Sequence, residues 1–369
     1  MGPDFPTKRV LEGRVDLLVP DVERRPGPGV RSALPFYNPG MAVARDISVL
    51  LAGRLLHGDG AVLDGLAAAG ALGLRIAKEA GANLVVTLND KNPRAVALIQ
   101  ENIGRNGVAN ATVVREDLNA HLADHHYDLV EVDPFGSPVS FLDAALLSAH
   151  RGSYLGVTAT DTAVLCGTKP EAARRRYLAE VRHAEAYAEI GTRVLLGYVA
   201  RMAARFDKAV EPVLAYAAEH FIKVHVRLTE GASRADRALA ELGWTSFDPA
   251  VGEYRTGKDG PWSGSMGPLW LGPLGDLEVV AGLVPAVEMA HTTARVLGLL
   301  RGELGLAPFY WDNNEMARRA GVSPPTPAKV IARLQELGFR AAPTHFRENA
   351  VKTDAPLSDV IAAYRHVGR

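Results

Sequence analysis

The chain has one cysteine, Cys166, in 369 residues, which excludes an intrachain disulfide. Its 11 histidines are scattered, no cysteine–histidine spacing fits a zinc site, and no structural metal is expected. Also absent is any apolar run near the roughly 18 residues that a spanning helix needs. The N-terminus, with Pro3, Asp4, Pro6 and Lys8, lacks a charged-then-apolar leader, so a cytoplasmic protein without membrane association is expected. Net charge is nearly nil: 41 basic residues against 42 acidic give −1. The overall basic balance common in nucleic-acid-binding proteins is therefore missing. That weakens the case for an RNA partner without removing it, because acids elsewhere can offset a basic face. Finally, no Gly-x-Gly-x-x-Gly fingerprint is present, which argues against a dinucleotide-dependent dehydrogenase.

What is present suits a globular chain of two domains, with 47% hydrophobic and 22% charged residues. Lysine supplies only 9 of the 41 basic residues and arginine the rest. Arginine grips phosphates bidentately and stacks on bases, although genome composition or heat adaptation produces the same bias.

Four apolar runs in the first 135 residues end on an acid: at Asp64, Asp90, Asp117 and Asp133. Strand-like runs alternate with helical ones (61–64, 72–80, 84–90, 93–103, 111–117, 128–133, 140–150 and 153–158), which predicts βαβ units and a parallel sheet. A helix over 41–56 precedes them, and helices over 171–189 and 192–206 follow. The runs 213–217 and 221–228 then read as an antiparallel edge hairpin. Residues 24–29 carry a loop signature, and residues 230–275 read as a linker or small β element. A helix is expected over 277–300. A helix-turn-helix around Gly321-Val322-Ser323 follows, with a wing strand from Gly338 to Phe346. The domains divide near residue 229, into 1–228 and 229–369.

Ligands of open α/β sheets bind beyond the carboxyl ends of the strands, so the four acids should face one pocket. Ribose hydroxyls, an exocyclic amine and a cationic centre suit such a wall, and S-adenosyl-L-methionine has all three. Asp64 to Gly73, including Gly70, would cradle it, with glycine and alanine allowing close backbone approach. Asp90 stands where an acid commonly grips ribose. Asp117, followed by Leu118, can accept from an adenine amine. For each acid the alternative is a helix N-cap.

Asp133-Pro134-Phe135-Gly136 is the most specific element. An exocyclic amine on a base is a poor nucleophile, because its lone pair is delocalised into the ring. A carboxylate and a backbone carbonyl accepting its N–H bonds would localise that lone pair, and the carboxylate can take the proton. Phe135 would stack on the base, with Phe36 as a second aromatic, and Arg45 could pair with the methionine carboxylate.

Phe36-Tyr37-Asn38-Pro39, Arg45-Asp46-Ile47, Leu88-Asn89-Asp90, Asp133 to Pro138, Thr158 to Thr162, Glu189 to Arg193, Gly267 to Pro273, Thr344-His345-Phe346 and Lys352 to Pro356 resemble the tRNA (guanine-26-N(2))-dimethyltransferase family. The resemblance covers nearly the whole chain. It implies a class I, Rossmann-like methyltransferase domain with a mostly parallel seven-stranded sheet. A smaller α+β C-terminal domain of winged-helix-like character would grip tRNA. It further implies one or two methyl transfers to guanine N(2), with Arg45, Arg75, Asp90 and Asp117 on S-adenosylmethionine, Asp133 catalytic, and Phe36 and Phe135 at the guanine. The chain departs from the family at Ala69-Gly70-Ala71-Leu72, where Thr-Gly-Ile-Arg is frequent, which shifts the arginine contact toward Arg75. Leu118 also stands where alanine is common. With one cysteine, the chain resembles the zinc-free members. Another base in ribosomal RNA or DNA, or RNA binding without catalysis, are the competing readings; no stable protein partner is expected.

Overall fold

The computed structural model describes residues 3–22 and 33–368, so the loop signature at 24–29 lies outside the described residues. A hairpin of β1 (Thr7–Glu12) and β2 (Val15–Pro20) leads to α1 (Ala42–Leu56). Strand and helix then alternate through β3 (Asp59–Asp64), α2 (Ala71–Arg75), β4 (Asn83–Asn89), α3 (Pro93–Asn106), β5 (Ala111–Val114), α4 (Leu118–Asp124), β6 (Leu129–Val132), α5 (Val139–Ser148) and β7 (Tyr154–Ala159). Helices α6 (Thr162–Leu165), α7 (Pro170–Tyr177) and α8 (Tyr187–Ala204) precede β8 (Lys208–Ala218) and β9 (Phe221–Glu230).

Seven strands form one sheet in the order β5-β4-β3-β6-β7-β9-β8. The first five pair in parallel, and β9 runs antiparallel to both its neighbours. Strand order reverses between β3 and β6, which opens a crevice at their carboxyl ends. Apolar side chains such as Leu63, Val130, Val132, Leu155 and Val157 pack one sheet face against α5 and α8. Alternation sends Glu131 to the opposite face, which α1 covers; the Ser48 hydroxyl there lies 3.2 Å from His225 Nε2. Strand β6 is buried throughout, as expected for a strand covered on both faces.

The rest of the chain adds α9 (Ala232–Leu239), β10 (Leu242–Asp248), β11 (Glu253–Gly257) and β12 (Met266–Trp270), then α10 (Leu277–Ala281) and α11 (His291–Glu303). It closes with β13 (Trp311–Asp312), α12 (Asn313–Ala320), α13 (Pro327–Glu336), β14 (Ala341–Pro343), β15 (Ala350–Thr353) and α14 (Leu357–Val367). The turn from α12 to α13, closed by Gly321 at φ 73°, together with the antiparallel sheet β13-β15-β14, has a winged-helix layout.

Three expectations change. The helix expected over 277–300 is two helices, because Pro285 between them has no N–H for a helical bond. The helix expected from 171 stops at Tyr177, where Leu178 turns left-handed at φ 50°. The strand expected to reach Asp117 ends at Val114, and Asp117 instead caps α4 by accepting from Asn119 N at 3.1 Å. Residues 230–275 contain a true antiparallel sheet, β11-β10-β12. Among the described residues, no helix is long and apolar enough to cross a membrane. Among the described residues, no cluster of three His, Cys, Asp or Glu side chains could hold a metal ion.

Candidate active site

A cavity of about 390 Å³ opens at the carboxyl ends of β3, β4, β5 and β6. Asp64, Asp90, Glu116, Asp117 and Asp133 line it, facing Phe36, Arg45, Leu118, Pro134 and Phe135. The four acids at the ends of apolar runs are therefore brought together. The turn after β3 supplies Ala67, Ala68 and Ala69 as a wall without bulk. Its shape is set by two left-handed residues, Ala68 at φ 52° and Gly70 at φ 80°. Alanine tolerates that conformation poorly, and Asp90 holds it by accepting from Ala68 N at 2.9 Å and from Asn92 N at 2.8 Å. Gly70 itself lies behind the wall, where a Cβ would sit 3.2 Å from Ile99 and 3.3 Å from Leu88. Its part is the turn, not a face of the cavity.

Asp64 is buried and accepts from Gly73 N at 2.9 Å. Burial pushes its carboxyl up to about 7. Burial also raises Asp90 and Asp133 above the usual carboxylate range. For Asp133 the nearby Lys223 and Arg45 cations oppose that rise, and the Glu131 carboxylate adds to it.

Arg45 reaches the cavity from α1, fixed by a fork onto Glu12 with two contacts of 2.6 Å, and by donation to the Asn38 carbonyl at 3.0 Å. Glu12 also accepts from the Tyr37 hydroxyl at 2.7 Å. Arg75 corrects the sequence expectation: it is fully buried and does not reach the cavity. Its guanidinium is committed to Asp46 at 2.6 Å, to Glu79 at 3.0 Å and to Glu12 at 3.2 Å. The arginine missing from the Ala69–Leu72 turn is thus not replaced by Arg75, which shares only the partner Glu12 with the cavity residue Arg45.

At the end of β6, Gly136 takes φ 79° and donates to the Thr160 hydroxyl at 2.7 Å, turning Phe135 outward. Phe135 is 42% exposed and meets Phe36 edge-on, with ring centroids 4.6 Å apart. Among cavity residues, Lys91, Thr160 and His220 were not anticipated. Nor was the buried set behind Asp133, where Glu131 meets Lys223 at 2.8 Å and His225 at 3.1 Å. The available signal was charge inside apolar strands: Leu129-Val130-Glu131-Val132 and Ile222-Lys223-Val224-His225-Val226.

This strand order, with acids at the ends of four successive strands or in the loops after them around one cavity, defines a class I, Rossmann-like methyltransferase. The chain belongs to the N2,N2-dimethylguanosine tRNA methyltransferase family, whose model matches residues 13–365. It is 40% identical over 380 residues to the tRNA (guanine(26)-N(2))-dimethyltransferase of Thermococcus kodakarensis, covering 97% of this chain and 99% of that one. The enzyme of the same name from Methanosphaerula palustris is 40% identical over 372 residues, covering 96% and 98%. Among solved structures, the complex of Trm1 from Pyrococcus horikoshii with S-adenosyl-L-methionine superposes with a TM-score of 0.86 at 34% identity, over 96% of this chain and 99% of that chain.

Proposed function

We propose that the chain transfers one or two methyl groups from S-adenosyl-L-methionine to the exocyclic N(2) amine of guanine 26 in tRNA. The observation that carries this reading is that Asp133-Pro134-Phe135 opens onto the same cavity as Asp64, Asp90 and Asp117. The cavity fits the donor chemically. Its carboxylates suit ribose hydroxyls, an adenine amine and a cation, its alanine wall admits close approach, and Arg45 suits a carboxylate. Bound there, the donor supplies an electrophilic methyl group.

The protein's own part is binding, orientation and proton transfer. Asp90 and Asp117 hold the nucleoside portion, Leu118 packs beside it, and Arg45 holds the amino-acid portion. Phe36 and Phe135 support a guanine rotated out of its stack. Asp133 and the adjacent backbone accept the N–H bonds of the amine, and Pro134 fixes the turn that presents them. The lone pair so localised forms the new N–C bond as the donor's S–C bond breaks, and Asp133 takes the surplus proton.

We assign residues 229–369 to gripping tRNA. From the first domain, Arg175 and Arg182 are the proposed phosphate contacts. Their neighbours Arg174 and Arg176 are engaged with Glu180 at 2.6 Å and Asp161 at 3.0 Å. A tRNA substrate is met in the cytoplasm, where we place the activity. The decisive test is Asp133→Asn: transfer to a tRNA transcript should fall about 100-fold or more, with donor affinity retained in calorimetry. Near-normal transfer would refute the reading, and nucleoside mass spectrometry maps the modified position.

A further inference from the structure

We infer that Lys223 is a positioning residue for Asp133, held in place by Glu131 across the gap left by Gly156, and that its ammonium keeps the Asp133 carboxylate ionised to receive the amine proton. This deepens the proposed function and rests on Asp133 being the proton acceptor.

The sheet register brings the groups together. Glu131 on β6 pairs with Gly156 on β7, and Gly156 pairs with His225 on β9. Thr158 pairs with Lys223 one pleat further on, and Asp133 continues β6 in the same direction. Strands two apart are separated by roughly 10 Å, and an ordinary side chain between them would block contact. Gly156 removes that block: a Cβ there would lie 2.4 Å from Glu131 Oε2. Glu131 therefore reaches Lys223 at 2.8 Å and His225 at 3.1 Å.

Lys223 is 1% exposed and Glu131 fully buried. Such a pair contributes little to stability by itself, because desolvation offsets its attraction. Beside an acid that must stay charged in a dry site, however, the cation has a use. The ionisable groups whose charge bears on Asp133 are Asp64 from β3, Glu131 from β6, Tyr216 from β8, Lys223 from β9 and Arg45 from α1, while His225 of β9 lies against Glu131 and Asp46 of α1 against Arg75. Burial favours neutral Asp133, Glu131 pushes the same way, and Lys223 is the foremost charge opposing them. His225 is held down by burial and adds little positive charge. Arg45, the other cation, is already forked onto Glu12.

The test is the pH profile of kcat/KM for methyl transfer in the full-length protein. In Lys223→Met the acid limb should move up by about one pH unit or more. At pH values below both limbs that is a loss of about tenfold, recovered on the alkaline plateau, with donor affinity unchanged. Lys223→Arg should restore the acid limb. Since Lys223→Met strands Glu131, the double variant Lys223→Met/Glu131→Gln is measured as well, and its acid limb should also move up, by less. Wild-type acid limbs in both folded variants overturn the inference. If Asp133→Asn is inactive at every pH while the Lys223 variants keep the wild-type profile, only the role of Lys223 fails. If Asp133→Asn is active, the reading of Asp133 fails first.

Discussion

Asp64 shows how a single buried carboxyl makes this fold sensitive to pH. An unfolded aspartate titrates near ~3.9, whereas burial holds the folded group at about 7. Folding therefore favours the protonated form. The stability it contributes is complete below the unfolded value and is lost as pH rises through about 7. Without ligand, the melting temperature should fall more between pH 6 and pH 8 in the parent than in Asp64→Asn; equal declines would sink the assignment. Phe135 offers the opposite case, an exposed ring that the proposed function sets against the guanine. Phe135→Ala should lower kcat/KM for tRNA by about tenfold or more while leaving the urea midpoint in place. At this scale the sequence was informative where an acid ended a strand, as at Asp90 and Asp133. It was less so at Arg75, since which carboxylates a guanidinium meets depends on partners 29 and 63 residues away.

Among the elements, periodicity revealed the sheet and most of its helices, because burial on one face imposes a pattern that composition cannot hide. It failed where a local break overrode the pattern, as at Pro285 and Leu178. It also missed β1 and β2, whose hairpin carries Glu12 to the foot of the site. Glu12 satisfies Arg45, Tyr37 and Arg75 together, so one acid ties that hairpin to α1 and α2. Burial alone would raise its pKa, and the Arg45 and Arg75 cations hold it below the ordinary range. Glu12→Gln should destabilise the protein by about 3 kcal/mol in chemical unfolding. It should also weaken donor binding as Arg45 loses its fork. An unchanged unfolding curve would show that the node contributes nothing.

Across the whole molecule, segments far apart in sequence close on one another. Glu189 and Arg193 of α8 meet at 2.8 Å, and Lys352 of β15 donates to Glu189 at 2.7 Å. Glu303 of α11 accepts from Thr344 and His345 nearby. These stretches look unrelated until folded, which is why the sequence marked those around Glu189, Thr344 and Lys352 only through family resemblance and did not mark Glu303 at all. Lys352→Met should lower the melting temperature and weaken tRNA binding with donor affinity unaltered, as filter binding and calorimetry would establish. Replacing Arg175 and Arg182 by alanine should reduce the salt slope of tRNA binding by about two; an unchanged slope would remove them from the interface. The acid-lined cavity has a last consequence, for turnover. Under the proposed function the donor arrives as a cation and is spent as a neutral thioether, so a carboxylate wall around it would lose its electrostatic hold once the methyl group has gone. Two methylations of one guanine require two donors in succession, and a wall that favours the charged molecule over the spent one clears itself for the second.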